Sequence, residues 1–258
     1  SSCFRDRYFM ITKNQIKFLK SLSQKKHRIE NNKCLIEGKR IVDELIQSGR
    51  NIEQIIVTDT FIKKNPDFIL FNSEHQYEII SDDDVKKIKN TENSQEIFAL
   101  VATGGSIDSN LEGPVLILNN ISDPGNLGSL LRTASWYNIN NIFVSDNSVD
   151  IYNPKVVRSS MGAHFYLSNL HQIKNNEIIS ILNKSNFVVI AATLDGVPHR
   201  DISINKKWAL ILGNEAHGID REMLHMASQS VSIPRLGNME SLNVAIAGSI
   251  LIDRFIGS

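Results

Sequence analysis

The stretch Ser232-Ile233-Pro234-Arg235-Leu236-Gly237-Asn238-Met239-Glu240-Ser241-Leu242-Asn243-Val244-Ala245 decides how this chain folds. A short apolar strand ending at Ile233 is halted by Pro234. A polar loop holding Gly237 and Glu240 follows, and Ser241 and Asn243 then open an apolar helix through Ile246, Ile250 and Ile252. A helix entered through a polar loop offers unsatisfied backbone N–H groups at its N-terminus. The small residues Ala245, Ala247 and Gly248 let it pack closely. Such a segment holds a small ligand or simply caps a core helix, and alone it does not choose between the two.

Two upstream segments repeat the design. In the first, the apolar run Val115–Leu118 leads into Asn119-Asn120-Ile121-Ser122-Asp123-Pro124-Gly125-Asn126, which is turn chemistry. Leu127, Leu130, Leu131 and Ala134 then recur at helical spacing, so a helix begins near Asn126 and carries Arg132. In the second, Ala209–Leu212 runs into Gly213-Asn214-Glu215-Ala216-His217-Gly218-Ile219-Asp220, with a further helix expected near Asp220. Three strand–loop–helix units with polar residues after the strands predict one site at the carboxyl edge of an α/β sheet. The glycines form neither a phosphate loop ending in Gly-Lys-Ser/Thr nor a Gly-x-Gly-x-x-Gly turn, which argues against ATP or a dinucleotide held in the usual way.

In order and spacing, these segments resemble the three signature motifs of the SpoU–TrmH family of RNA ribose 2′-O-methyltransferases, within the SPOUT superfamily. Asn126 and Arg132 match the first motif, Gly213-Asn214-Glu215 and Gly218 the second, and Ser241-Leu242-Asn243 the third. The resemblance implies a SPOUT domain of the α/β class, with a largely parallel sheet and a deep C-terminal trefoil knot. It further implies a homodimer that uses S-adenosylmethionine (SAM). The implied catalytic group is Asn126, Arg132, Glu215, Ser241 and Asn243. Thr193, Leu194, Gly213, Asn214, Gly218, Ile233 and Leu242 are implied to bind the cofactor. Arg132 would grip the phosphate beside the target ribose or stabilise the developing alkoxide. His217, in the second motif, is read as solvent-facing. Ala216-His217 departs from the small residues usual there.

Hydrophobic residues make up 41% of the 258-residue chain and charged residues 22%, as in ordinary globular proteins. With only Cys3 and Cys34, no disulfide framework is expected, which favours a reducing cytoplasm. No stretch suggests a membrane span, and the seven histidines show no metal-ligand spacing, so neither membrane nor metal is expected.

A formal net charge of zero conceals a division. Residues 1–50 hold 12 Lys/Arg against 5 Asp/Glu, whereas residues 51–110 hold 5 against 11. The densest basic point is Lys25-Lys26-His27-Arg28, and Lys25, Lys26, Arg28 and Arg132 are the candidate RNA contacts.

Residues 1–9 read oddly before Met10-Ile11-Thr12-Lys13, so Met10 is the expected natural start. Residues 10–103 are expected to form a small α/β substrate-binding domain resembling an RNA-binding ribosomal-protein fold. Residues 104–113 have linker composition, and 114–258 form the SPOUT domain. The expected reaction is SAM-dependent 2′-O-methylation of RNA, with 23S rRNA favoured over tRNA. A non-catalytic RNA-binding or ribosome-assembly protein is the alternative of another class, and a small-molecule methyltransferase is disfavoured by the basic cluster.

Overall fold

The computed structural model describes residues 8–108, 110–204, 207–214 and 216–257. The chain divides after Gly105, inside the expected linker, into two compact units.

In chain order the first unit contains β1 (Tyr8–Met10), α1 (Lys13–Ser21), α2 (Lys25–Asn31), β2 (Lys33–Glu37), α3 (Lys39–Gln47) and β3 (Ile52–Val57). It continues with α4 (Asp59–Lys64), α5 (Pro66–Phe71), β4 (Tyr77–Ile79), α6 (Asp82–Ile88) and β5 (Ile97–Ala102). Its five strands lie in the order β1-β4-β3-β5-β2, with β5 antiparallel to both neighbours. β1 starts at Tyr8, before the expected start at Met10, and pairs with β4 from Tyr8↔Tyr77 to Met10↔Ile79. Local chemistry accounts for the helix starts. Thr12 and Gln15 form a capping box on α1, and the Ser81 side chain accepts from the Asp84 N–H on α6. In the Ile36-Glu37-Gly38 segment, buried Glu37 accepts from the Asn90 N–H at 2.6 Å and the Thr91 hydroxyl at 2.5 Å.

The second unit runs β6 (Val115–Leu118), α7 (Pro124–Trp136), β7 (Asn141–Ser145), α8 (Pro154–Ser159), β8 (Asn169–Ile173) and α9 (Asn175–Asn183). Then come β9 (Val188–Pro198), β10 (Trp208–Leu212), α10 (Arg221–Leu224), β11 (Gln229–Ser232) and α11 (Val244–Ile256). Its six strands, ordered β11-β9-β10-β6-β7-β8, are all parallel. Every residue of β6, β7 and β10 is buried, because helices cover both faces. Leu116, Leu118, Ile142, Leu210 and Leu212 join α7 and α11 in one core, while Val115, Ile117, Phe143 and Ile211 join α9 and α10 in the other. Pleat alternation thus sorts each strand's side chains between two apolar layers. Among the described residues, no helix is long and apolar enough to cross a membrane.

Two local features bear on the site. β9 continues past its apolar run Val188–Ala192 to Pro198, with an interruption within it. Asn243 rather than Ser241 caps α11: its side-chain oxygen accepts from the N–H groups of Ala245 and Ile246, at 2.9 and 3.3 Å.

Candidate active site

Because the sheet is parallel, the loops after β6, β10 and β11 leave from the same edge. The first joins the third through a direct bond: the Asn243 amide donates to the Asn126 carboxamide oxygen at 2.8 Å. Asn126 stands in the first turn of α7, capped by Asp123, which accepts its N–H at 2.8 Å. The same helix carries Arg132 to an exposed position. Among the described residues Arg132 has no hydrogen bond or ion pair, so its five donors are available to an incoming group. Ser241 and Leu242 lie exposed just before the α11 cap.

The second loop closes on itself. Asn214 and Gly218 exchange backbone hydrogen bonds at 3.0 and 2.9 Å. A Cβ on Gly213 would lie 2.5 Å from the Gly218 carbonyl carbon, so only glycine fits. Gly218 itself has φ +69°. Asn214, expected at the cofactor, spends its side chain inside the protein. Its amide donates to the Asn120 carbonyl at 3.0 Å and Ser122 Oγ at 3.3 Å, and its oxygen accepts from the N–H groups of Ala216 and His217. Its side chain therefore braces the loop instead of reaching a ligand. His217 is exposed, as expected, and Glu215 lies outside the described residues.

Thr193 and Leu194 occupy the interruption in β9. The ladder with β11 pairs Ala191 with Ser230 and then jumps to Val197 with Val231. Pairing with β10 ends at Ala191. Residues 192–196 therefore have no ladder partner on either neighbouring strand, and Leu194 is 81% exposed. Among the described residues Thr193 Oγ1 is buried without a hydrogen-bond partner, a costly arrangement that a ligand donor or acceptor would relieve. Gly196 lets the excursion return, since a Cβ there would lie 2.6 Å from the Ser230 and Val231 backbone. Ile233, directly after β11, is half-buried.

A buried carboxamide network beneath the loops escapes the sequence reading. Asp220 accepts from Asn120 at 2.7 Å, Asn175 at 2.9 Å and Asn119 at 3.2 Å. Burial raises the Asp220 pKa, but donation by Asn175, Asn120 and Asn119 outweighs it and holds the carboxyl below 3.8. The run Asn119-Asn120 after an apolar strand is the available signal.

In the first unit, Lys25 and Lys26 on α2 are exposed, and Lys26 lies 3.8 Å from Glu30. Arg28 does not belong with them. It is 5% exposed, and its guanidinium donates to the carbonyls of Leu22 at 2.8 Å and Ser23 at 2.9 Å. It fastens the turn between α1 and α2, and the helical period rotates it away from the exposed lysines. Among the described residues, no group of three or more His, Cys, Asp or Glu could hold a metal ion.

Residues 113–253 match the SpoU rRNA Methylase family, and residues 13–99 match an MRM3-like substrate binding domain. The 23S rRNA (guanosine(2553)-2′-O)-methyltransferase RlmP of Bacillus subtilis is 31% identical over 249 residues, covering 93% of this chain and 95% of its own. The chain belongs to the SpoU rRNA methylase family. Among solved structures, a Porphyromonas gingivalis protein assigned to the TrmH family of RNA methyltransferases is 28% identical, with TM-score 0.81 over 95% of this chain and 98% of its own. An AdoMet-bound rRNA methyltransferase from Sinorhizobium meliloti, 23% identical, shares the fold with TM-score 0.81 over 96% and 97%. The SpoU match spans all three strand-end loops, and the MRM3-like match spans the helix carrying Lys25 and Lys26.

Proposed function

We propose that this SpoU family member methylates the ribose 2′-oxygen of a nucleotide in 23S rRNA, with SAM as methyl donor. The observation that carries the reading is the Asn126–Asn243 bond, which ties the first loop to the third while Arg132 stands exposed, and unpaired among the described residues, on the helix whose first turn holds Asn126. The B. subtilis relative supports the rRNA substrate, and the S. meliloti enzyme supports the cofactor.

The edge loops fit SAM: residues 192–196 have no ladder partner on either neighbouring strand, and among the described residues Thr193 Oγ1 lacks a hydrogen-bond partner. Thr193, Leu194, Gly213, Gly218, Ile233 and Leu242 would hold it, with Asn214 acting through the loop it braces. SAM supplies a methyl group already activated on a sulfonium. The chain must then align the 2′-oxygen and dispose of its proton. A guanidinium has donors and no acceptor, so Arg132 does not take the proton. It grips the phosphate beside the ribose, and a phosphate oxygen accepts the proton, or it steadies the forming alkoxide as the proton passes to water; the sulfonium leaves as the neutral thioether. Asn243 caps α11 and Asn126, in the first turn of α7, holds that cap in place, while Ser241 and Glu215 are assigned to the ribose and the loop. Lys25 and Lys26 extend contact to the RNA backbone.

The proposed working unit is a cytoplasmic homodimer, each subunit carrying the trefoil knot. α7 and α11 pack together through Thr133 Oγ1 and Ser249 Oγ at 3.0 Å, and the Tyr137 hydroxyl donates to Asp253 at 2.6 Å. Beside this seam Trp136 is 84% exposed and Ile246 56% exposed, apolar area suited to a second copy. Ile246→Asp should lower the sedimentation mass to that of a monomer, and an unchanged mass would remove these helices from the interface.

The deciding assay is transfer of labelled methyl from SAM into unmodified 23S rRNA and tRNA, with Arg132→Ala as control. Label at one alkali-resistant position of 23S rRNA, lost in the variant, supports the proposal. Label in tRNA alone would reassign the substrate. No label and no SAM binding would leave a non-catalytic RNA-binding protein.

A further inference from the structure

We infer that Asp220 is a positioning residue that shapes the cofactor loop, residues 213–218, through Asn120. The inference rests on the reading of that loop as part of the SAM site. Both ends of the loop are fastened to Asn120. Near its start, Asn214 donates to the Asn120 carbonyl at 3.0 Å. Just beyond its end, Asp220 accepts from the Asn120 side-chain amide at 2.7 Å. Asn120 has φ +58°, a left-handed conformation that asparagine tolerates better than most residues. It is held from behind by Ser145, whose hydroxyl accepts the Asn120 N–H at 2.8 Å and lies 3.3 Å from its side-chain oxygen.

The two Asp220 oxygens have separate tasks. Oδ1 takes Asn120, whereas Oδ2 takes Asn175 at 2.9 Å and Asn119 at 3.2 Å. The Asp220 N–H closes the arrangement by donating to Asn119 Oδ1 at 2.8 Å. Asn119 is fully buried and Asn175 nearly so, so their amides depend on protein partners. The position of Asn120 then reaches the loop through Asn214, whose oxygen holds the N–H groups of Ala216 and His217 at 2.8 and 3.2 Å. No atom of Asp220 need touch SAM for this control.

The separation of tasks permits a reciprocal test. In Asp220→Asn, Nδ2 replaces Oδ1 and faces the Asn120 amide, donor against donor. In Asn120→Asp, two carboxylates face each other. In the double variant the two groups have traded places: the introduced carboxamide donates to the introduced carboxylate, and its remaining oxygen still accepts from Asn119 and Asn175. Calorimetry of SAM binding should show affinity about tenfold weaker for Asp220→Asn, at least as weak for Asn120→Asp, and within about threefold of wild type for the exchange. Hydrogen exchange without ligand should show the Ala216 and His217 amides opening faster in each single variant and protected again in the double variant. Wild-type affinity in Asp220→Asn, or a double variant no better than the worse single one, would overturn the inference. So would a lowered melting temperature with unchanged affinity and amide exchange, which would make Asp220 a stability residue only. If the wild-type protein does not bind SAM, the functional reading fails, and the amide exchange alone decides whether Asp220 shapes the loop.

Discussion

Acid should destabilise this protein through His164, a group that the expected chemistry does not use. The imidazole is 4% exposed in the turn after α8. Its Nε2 lies 2.6 Å from the Ile151 carbonyl and its Nδ1 2.8 Å from Ser160 Oγ. A carbonyl can only accept, so Nε2 carries the proton of the neutral ring and Nδ1 receives the serine hydroxyl. Burial is the largest influence and drives the pKa from 6.5 to about 4, against smaller upward effects of the Ile151 carbonyl and Asp150. Between these values the unfolded chain binds a proton that the folded chain refuses. Stability from this group is complete above pH 6.5 and declines as pH falls toward 4. Lowering pH from about 7.5 to about 5 should therefore cost about 2 kcal/mol from His164 alone. Urea unfolding of wild type and His164→Gln at both pH values isolates this contribution, because shared titrations cancel in the difference. The variant should lose about 2 kcal/mol less than wild type on acidification. Equal losses, or an imidazole titrating near 6.5 by NMR, would refute the reasoning.

Arg132→Ala should lower kcat/KM at least about 100-fold while SAM affinity changes less than about twofold, because the exposed guanidinium serves RNA. Comparable loss of SAM binding, measured by calorimetry, would place Arg132 at the cofactor instead. Gly213→Ala would drive a Cβ to 2.5 Å from the Gly218 carbonyl carbon, so SAM binding should weaken at least about tenfold with the far-ultraviolet spectrum retained. Unchanged affinity would mean that this loop yields freely. Lys25→Ala/Lys26→Ala should weaken RNA binding and reduce the log–log salt slope by about 1.5 to 2, whereas Arg28→Ala should chiefly lower the melting temperature. An unchanged slope in the double variant would remove α2 from the RNA contact.

Residues that report their own surroundings are the ones legible from sequence. Strands β6, β7 and β10 are covered on both faces, so their centres appear as unbroken apolar runs, Val115–Leu118, Ile142–Val144 and Ala209–Leu212. Edge strand β8 gives no such signal, because His171 and Gln172 interrupt it on a partly exposed edge. Arg28 reads as an RNA contact because charge reveals nothing about which side of a short helix faces inward, yet two backbone carbonyls take its donors. The Asp220 network shows only its Asn119-Asn120 run, for another reason. Its bonds to Asn175, Asn120 and Asn119 span 45, 100 and 101 positions, so no local pattern encodes them. The interruption in β9 is likewise a matter of register between strands distant in sequence.

The choice of side chains at the sheet edge suits an enzyme whose substrate is a polyanion. Asn119, Asn120, Asn126, Asn175, Asn214 and Asn243 provide much of the framework, and each carboxamide offers donors and an acceptor without a charge. Loops can therefore be joined to loops without introducing ions beside the substrate. The Asp220 carboxylate receives three amides, which spread its charge into the protein. Arg132 is left without an internal counter-ion among the described residues. A phosphate reaching it need not displace a carboxylate first, so the attraction that a salt bridge would have consumed goes into substrate capture. An acidic residue introduced within reach of Arg132, as in Ser129→Glu one helical turn earlier, should thus raise KM for RNA while leaving SAM affinity intact. A KM that did not move would show that Arg132 acts only after binding, on charge developing at the ribose, and would decide between its two proposed roles.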